Sequence, residues 1–424
     1  MIAALVLIVL ALLGAPLFAV IAASALWAFY QAGDDLATVA IEFYRLAEMP
    51  MLVAIPLFTF AGYLLSESGA PSRLVNLSRA LLGWLPGGLA IVALIACAFF
   101  TAFTGASGIT IVALGALLYP ALNQAGYPER FNLGLITTSG SLGLLFAPSL
   151  PLILYTVIAQ QLHVGRSFTI NEIFLAGVLP GLLMMFMLSA WSLWVNRRQA
   201  RHRFSWREAR ATAYASRWEI PLPFLVLGGV YSGYFAVSEA AAVTAVYVLI
   251  VEMLVYREIP LRRLPRIMRD SMVLVGALLV ILGVSLASTS YLIEADIPAR
   301  LFSAIKHYVS DPLTFLVLLN LLLLALGAMH DISALVIFVP LLLPVAVSYG
   351  IDPVHFGIIF LANMQIGFFM PPFGLNLFIA GYRFNKPVLE LYRATIPFFA
   401  ILLLAVLIIT YWPALSLALA GRDG

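Results

Sequence analysis

Two stretches of the chain combine an interrupted apolar helix with side chains able to hold an ion. The first reads Ser139-Gly140-Ser141-Leu142-Gly143 and then Ala147-Pro148-Ser149, inside an apolar run over 129–160. The second reads Asn363-Met364-Gln365-Ile366-Gly367 and then Pro371-Pro372-Phe373-Gly374-Leu375-Asn376, inside 353–383. Proline removes a backbone donor and clashes with the preceding turn, so carbonyls near it need other partners. Lipid supplies none, and such breaks must face protein or a wet cavity. Free carbonyls with hydroxyls and amides suit a hard, weakly charged cation such as Na⁺. The N-termini of half-helices favour an anionic substrate.

Two polar tips lie upstream, each in the middle of a long apolar stretch: Thr104-Gly105-Ala106-Ser107-Gly108 within 86–124, and Gly327-Ala328-Met329-His330-Asp331 within 312–348. Pairing tips with breaks gives two expected cation sites. Site one takes Gly105, Ala106, Ser107 and Gly108 with Ser139, Ser141 and Gly143. Site two takes Gly327 and Asp331 with Asn363, Gly367 and Pro371. Pro148, Ser149, Pro372, Gly374 and Asn376 are expected to face the substrate. Plain close packing of small residues is the competing account of the same glycines and serines. Asp331 reads as a cation ligand or as a cap on the hairpin tip, and His330 as a hydrogen-bonded structural residue. Glu239, in Ser238-Glu239 before an alanine run, reads as an N-terminal helix cap.

The elements that must carry these residues follow from composition. Of 424 residues, 63% are hydrophobic and 10% charged, against about 25% charged in a soluble domain, so a lipid bilayer is the solvent. The formal charge of +3 is spread without a basic stripe, which excludes nucleic acid as a partner. One cysteine, Cys97, excludes disulfides and cysteine metal clusters and reads as a small core residue. Spans of about 20 apolar residues fall at 2–30, 50–68, 129–160, 171–196, 219–234, 237–256, 271–293, 353–383 and 394–419. The stretches 86–124 and 312–348 read as two crossings each or as re-entrant hairpins.

Arg197–Arg217 holds seven arginines and Arg257–Arg269 five. Placing both in the cytoplasm puts 18 of the 23 Lys/Arg inside, the bias expected of a consistent topology. The N-terminus is then cytoplasmic and the C-terminus periplasmic. A shift of 224 residues carries Pro120 onto Pro344, Gly126 onto Gly350, Gly143 onto Gly367 and Pro148 onto Pro372. A shift of 226 carries Pro86 onto Pro312, and one of 227 carries Pro71, Arg73 and Leu74 onto Pro298, Arg300 and Leu301. The first unit starts its long span from inside and the second from outside, so the fold class is an all-α integral membrane protein of two inverted repeats. Each repeat holds a helical hairpin and a broken transmembrane helix. The chain has no G-x-S-x-G, H-E-x-x-H or P-loop pattern and is not an enzyme; uphill movement would draw on an ion gradient.

Four segments resemble the large permease subunit (DctM-like) of tripartite ATP-independent periplasmic (TRAP) transporters: Ala54-Ile55-Pro56-Leu57-Phe58 with Ala61-Gly62, Ala147–Tyr155, Gly233–Val243, and Pro371–Phe378. The resemblance covers nearly the whole chain. It implies an elevator-type, Na⁺-coupled importer in a bacterial inner membrane. The substrate would be an organic anion, a carboxylate such as a sialic acid or a C4-dicarboxylate, delivered by a periplasmic substrate-binding protein. A small four-helix membrane subunit is expected as a separate chain, and no organic cofactor is expected. Residues 86–160 and 312–383 would form the transport domain. Residues 1–85 would hold N-terminal scaffold helices and an arm, 171–311 scaffold helices and a second arm, and 394–424 a C-terminal helix. Ala106 and Ala147 depart from the family pattern, which has a second serine at the tip and a second proline at the break; both weaken site one relative to site two. A carboxylate carrier needing no binding protein and a non-transport assembly protein are the alternatives.

Overall fold

A computed structural model of the chain describes residues 6–421 apart from 8, 11, 12, 86, 198–203, 233 and 328–330, with only the backbone at 17, 47, 331 and 332. All regular elements among the described residues are helical. Among the described residues, six helices are long and apolar enough to cross a membrane, or up to eight when each of two bent pairs is one span.

The helices that frame the centre are α1 (Leu17–Ala32), α2 (Ala54–Glu67), the short amphipathic α3 (Ala70–Leu82), α4 (Gly88–Thr104) and α5 (Ser107–Gln124). They are followed by α6 (Glu129–Ser139), α7 (Leu150–Gln161), α8 (Ile170–Val195), α9 (Trp206–Ala215), α10 (Pro221–Tyr231), α11 (Val237–Ile250) and α12 (Leu264–Glu294). The second repeat adds α13 (Ile297–Tyr308), α14 (Pro312–Gly327), α15 (Asp331–Ser348), α16 (Pro353–Gly367), α17 (Leu375–Phe384) and α18 (Val388–Tyr411). The ends are written in the sequence. Thr169 and Glu172 form a reciprocal capping box on α8, and Asp352 accepts from the Val354 N–H at 2.7 Å ahead of Pro353 on α16. Glu239 accepts from the Ala236 N–H at 2.9 Å, the helix-cap role expected of it.

The two broken helices occupy the centre. Every residue of α16 is buried, as is the continuous stretch 131–145. A helix apolar all round belongs in such a protein interior. Around them the packing repeats itself. Within each repeat the first hairpin limb lies on that repeat's break, α4 on Leu142–Leu145 and α14 on α16. Across repeats the second limbs exchange, α5 packing on α17 and α15 on α7. The shift of 224 also relates the starts of α6 and α16 and the cis bonds Ala147–Pro148 and Pro371–Pro372. Gly126 and Gly350 have φ 81° and 85°.

Hairpin limbs of 17, 18, 16 and 18 residues reach about 24–27 Å at 1.5 Å per residue, at the lower end of the length that crosses a bilayer. Three expected spans differ from the helices formed. The stretch 2–30 turns at Gly14, φ 88°, before α1 begins behind Pro16. The span 219–234 shrinks to the 11 residues of α10, about 16 Å long, because it starts at Pro221 and stops at Tyr231. The last one ends at Tyr411, where Trp412-Pro413 interrupts it.

Candidate functional site

The glycines of the breaks let helices touch. A Cβ on Gly143 would stand 2.3 Å from the Ala98 carbonyl oxygen, and one on Gly367 would stand 2.4 Å from the Gly327 Cα. Only glycine fits either contact. The sequence pairing of tip two with break two is therefore present as backbone contact between Gly327 and Gly367. Ala328, Met329 and His330 lie outside the described residues; Asp331 opens α15, and its side chain also lies outside them.

Above this contact Asn363 is fully buried. Its amide donates to Asn320 Oδ1 at 2.7 Å and to the Ile359 carbonyl at 2.9 Å, while Thr410 donates to the same Asn320 oxygen at 3.1 Å. Asn363 Oδ1 has no hydrogen-bond partner among the described residues. A buried acceptor left open is costly and calls for a ligand, and an amide oxygen suits a hard cation. Pro371 is half-buried, and the Pro372 carbonyl beside it accepts from Tyr392 OH at 2.7 Å.

At site one the tip lies against the break, a Cβ on Gly140 standing 3.2 Å from the Ser107 carbonyl oxygen, while the hydroxyls are engaged elsewhere. Thr101 Oγ1 donates to the Gly140 carbonyl at 2.8 Å and lies 2.7 Å from Thr110 Oγ1, so the hairpin limbs and the break share one hydroxyl pair. Ser139 turns back on the Ile136 carbonyl at 3.3 Å. Ser141 donates to the Gln365 carbonyl at 3.0 Å, in the other repeat. Ser107, at the tip, donates to Asn376 Oδ1 at 2.8 Å, and Asn376 donates to the Thr137 carbonyl at 3.4 Å. The first tip thus sits against both breaks: a Cβ on Gly105 would meet Leu150, and one on Gly108 would meet Ile379.

A cavity of about 570 Å³ opens over this tip, within the usual range for small-ligand sites. Gly105–Gly108 and Leu375 line it, together with Tyr63, Ser66 and Glu67 of α2. Helices α5 and α17 both begin at this cavity, at Ser107 and Leu375, so two positive helix ends converge where Ser107 meets Asn376. Of the residues expected to face substrate, Asn376 and Gly374 are buried beside this junction and Pro372 is exposed. Pro148 and Ser149 are buried and lie outside the cavity lining; the first residue of that segment to reach it is Leu150. Ser149 Oγ has no partner among the described residues.

Sequence reasoning missed Thr101, Thr110 and Asn320. Asn320 had a signal, a lone amide in the leucine-rich run 312–327. The threonines had none, since threonine on a helix ordinarily bonds its own preceding turn. No group of three or more His, Cys, Asp or Glu able to hold a metal occurs among the described residues.

A sequence profile of the tripartite ATP-independent periplasmic transporter, DctM component, matches residues 2–415. The chain is 36% identical over 395 residues to the C4-dicarboxylate TRAP transporter large permease protein DctM of Pseudomonas aeruginosa, covering 92% of this chain and 91% of that one. It is 33% identical over 387 residues to the isethionate TRAP transporter permease protein DctMQ of Oleidesulfovibrio alaskensis, covering 90% of this chain and 60% of that one. Among solved structures, the Alcanivorax borkumensis YdaH transporter shares the fold, with a TM-score of 0.64 at 14% identity over 90% of this chain and 88% of that one. The chain, a multi-pass bacterial inner-membrane protein and a transporter component rather than an enzyme, belongs to the DctM family of large permease subunits of TRAP transporters.

Proposed function

We propose that this subunit imports an organic anion together with Na⁺, by an elevator movement of 86–160 and 312–383 against the remaining helices. The observation that carries the reading is the cavity at the first tip. It is bounded by the N-termini of α5 and α17, at Ser107 and Leu375, with Asn376 buried behind Ser107 as its hydrogen-bond partner, and two helix ends there favour a carboxylate or similar anion. Cation coupling is supported by the open Asn363 oxygen beside the Gly327–Gly367 contact. Site two is the better supported cation site, with Asn363 and backbone at 327 and 363–367 as its ligands. At site one the serines are spent on helix and cross-repeat contacts, leaving backbone carbonyls near Gly105–Ser107 for an ion.

A tripartite transporter has two further components. We infer a periplasmic protein that hands over the substrate and a small four-helix membrane subunit as a separate chain. The charge bias supports a cytoplasmic N-terminus and a periplasmic C-terminus. The test is thermal stability of the purified subunit with its small partner in NaCl against choline chloride at equal ionic strength. A ligand at about 100 times its Kd stabilises by about 2.7 kcal/mol, so a sodium-specific upward shift is expected. Equal curves in both salts would remove sodium from the reading and turn it toward proton coupling. Uptake into proteoliposomes without any binding protein would instead favour a self-sufficient carboxylate carrier.

A further inference from the structure

The arm helix α3 is fastened to its surroundings by one arginine and three carboxylates. The Arg73 guanidinium pairs with Glu219, with Glu252 at 3.2 Å and with Glu258. Glu219 and Glu252 are 1% and 0% exposed, and Arg73 13%. The guanidinium also lies 3.8 Å from the centre of the Tyr256 ring, whose hydroxyl donates to the Ala215 carbonyl at 2.6 Å. Two backbone bonds complete the fastening: Ser216 Oγ donates to the Arg73 carbonyl at 3.3 Å, and the Gly69 N–H donates to Glu258 at 2.6 Å.

The carboxylates come from three places. Glu219 precedes α10, Glu252 sits on the π-helical turn Val251–Val255 that continues α11, and Glu258 follows in the next loop. A π-turn re-aims side chains relative to the α-helix it interrupts, and here it brings Glu252 to the arginine. One side chain on the arm therefore ties together three segments, one of which continues α11, the helix that lies on α2. Removing it would leave buried carboxylates uncompensated.

Among the described residues, the second arm has no such ion-pair fastening. The shift of 227 that carries Arg73 onto Arg300 places Arg300 on α13, where it is exposed and forms no ion pair among the described residues. The residues of positive φ beside the two arms differ as well. Gly87, φ 76°, lies between α3 and the hairpin, whereas Asp296, φ 55°, lies ahead of α13.

We propose that Arg73 is a positioning residue that pins the first arm to the scaffold, so that hairpin α4–α5 turns at Gly87 while the second arm turns as a whole at Asp296. The arm packs directly on α4, which carries Thr101 and ends at Gly105, so the pinned arm is the surface against which the hairpin and its tip turn, and loosening it loosens the tip. The consequence for transport rests on the elevator reading, but the pinning itself does not.

The experiment is hydrogen–deuterium exchange on the complete subunit in lipid nanodiscs with its small partner, without sodium or substrate. Amides of 70–82 should exchange at least tenfold more slowly than those of 297–308. Arg73→Gln should remove that contrast by speeding the first arm alone, and Arg73→Gln/Glu258→Gln should restore part of it by relieving repulsion. The sodium midpoint of the thermal shift should rise at least threefold in Arg73→Gln, a change that loss of bulk stability would not produce. Equal exchange of the two arms in the wild type would overturn the proposal, even if Arg73→Gln failed to insert. So would Arg73→Gln with first-arm exchange unchanged. A transporter that proved not to move as an elevator would leave the arm contrast standing, so the two failures are distinguishable.

Discussion

Ser141 donates its hydroxyl to the carbonyl of Gln365 at 3.0 Å, and these two residues are 224 positions apart, the offset that superposes the two repeats. A residue in contact with its own repeat-mate marks where the pseudo-symmetry axis passes. The two breaks therefore meet each other at this point, through buried groups on both sides. A contact of this kind resists sliding of one repeat past the other, and both breaks would move as one body.

Because the acceptor is main chain, only the serine side can be deleted. Ser141→Ala should cost about 1 kcal/mol, the usual worth of a buried neutral hydrogen bond, read as a lowered thermal midpoint of the purified subunit. A midpoint equal to the wild type would mean the contact does not hold the breaks together.

Gly367→Ala and Gly143→Ala each place a methyl group within 2.4 Å of backbone. Backbone cannot step aside as a side chain can, so each should lose about 1–3 kcal/mol by overpacking. Gly228→Ala is the control, since a Cβ there meets nothing within 4 Å and should be neutral or stabilising by up to about 1 kcal/mol. Thermal midpoints of the three variants give the comparison; Gly367→Ala at wild-type stability would remove the tip-to-break contact as a structural constraint.

Much of this arrangement is legible from residue spacing. Proline and glycine at fixed intervals, Pro120 with Pro344 and Gly143 with Gly367, reveal the repeat because backbone constraints act locally and leave a local signature. Pairing the second tip with the second break follows from the same offset and is present as Gly327 against Gly367. The first tip's contact with its own break, Ser107 against Gly140, follows the same pairing, but the hydroxyl partners there are not legible. Ser107 reaches Asn376, 269 residues away, and Ser141 reaches Gln365; nothing in the residue types distinguishes these from Ser139 or Gly143. Exchange of second limbs between repeats is a property of three-dimensional packing, and no local pattern encodes it. Arg73 was visible only as a repeat marker, because its three carboxylates lie 146 to 185 residues downstream.

The open oxygen of Asn363 gives a prediction specific to the ion. Asn363→Ala removes Oδ1 and also the amide that donates to Asn320, so the protein should be less stable in any salt. The added effect is that the difference between NaCl and choline chloride should shrink by at least half. Thermal shift in paired salts separates the two effects; a lower midpoint with the sodium difference intact would make Asn363 purely structural.

The Ser107–Asn376 pair predicts where anion affinity resides. Its two members belong to different repeats and stand at the starts of α5 and α17, so a bound carboxylate would meet both helix ends at once. Asn376→Ala removes a polar group at that junction, and with it the partner of Ser107. The anion concentration for half-maximal uptake, measured with the binding protein supplied in excess, should rise about tenfold, equivalent to about 1.4 kcal/mol. The sodium-specific thermal shift should persist, because Asn363 and Gly367 are unchanged. Ser107→Ala should act in the same direction but less strongly, since Asn376 keeps its bond to the Thr137 carbonyl. Unchanged anion dependence in both variants would move the substrate away from the first tip. Loss of the sodium shift together with anion affinity would mean that the junction serves the cation instead.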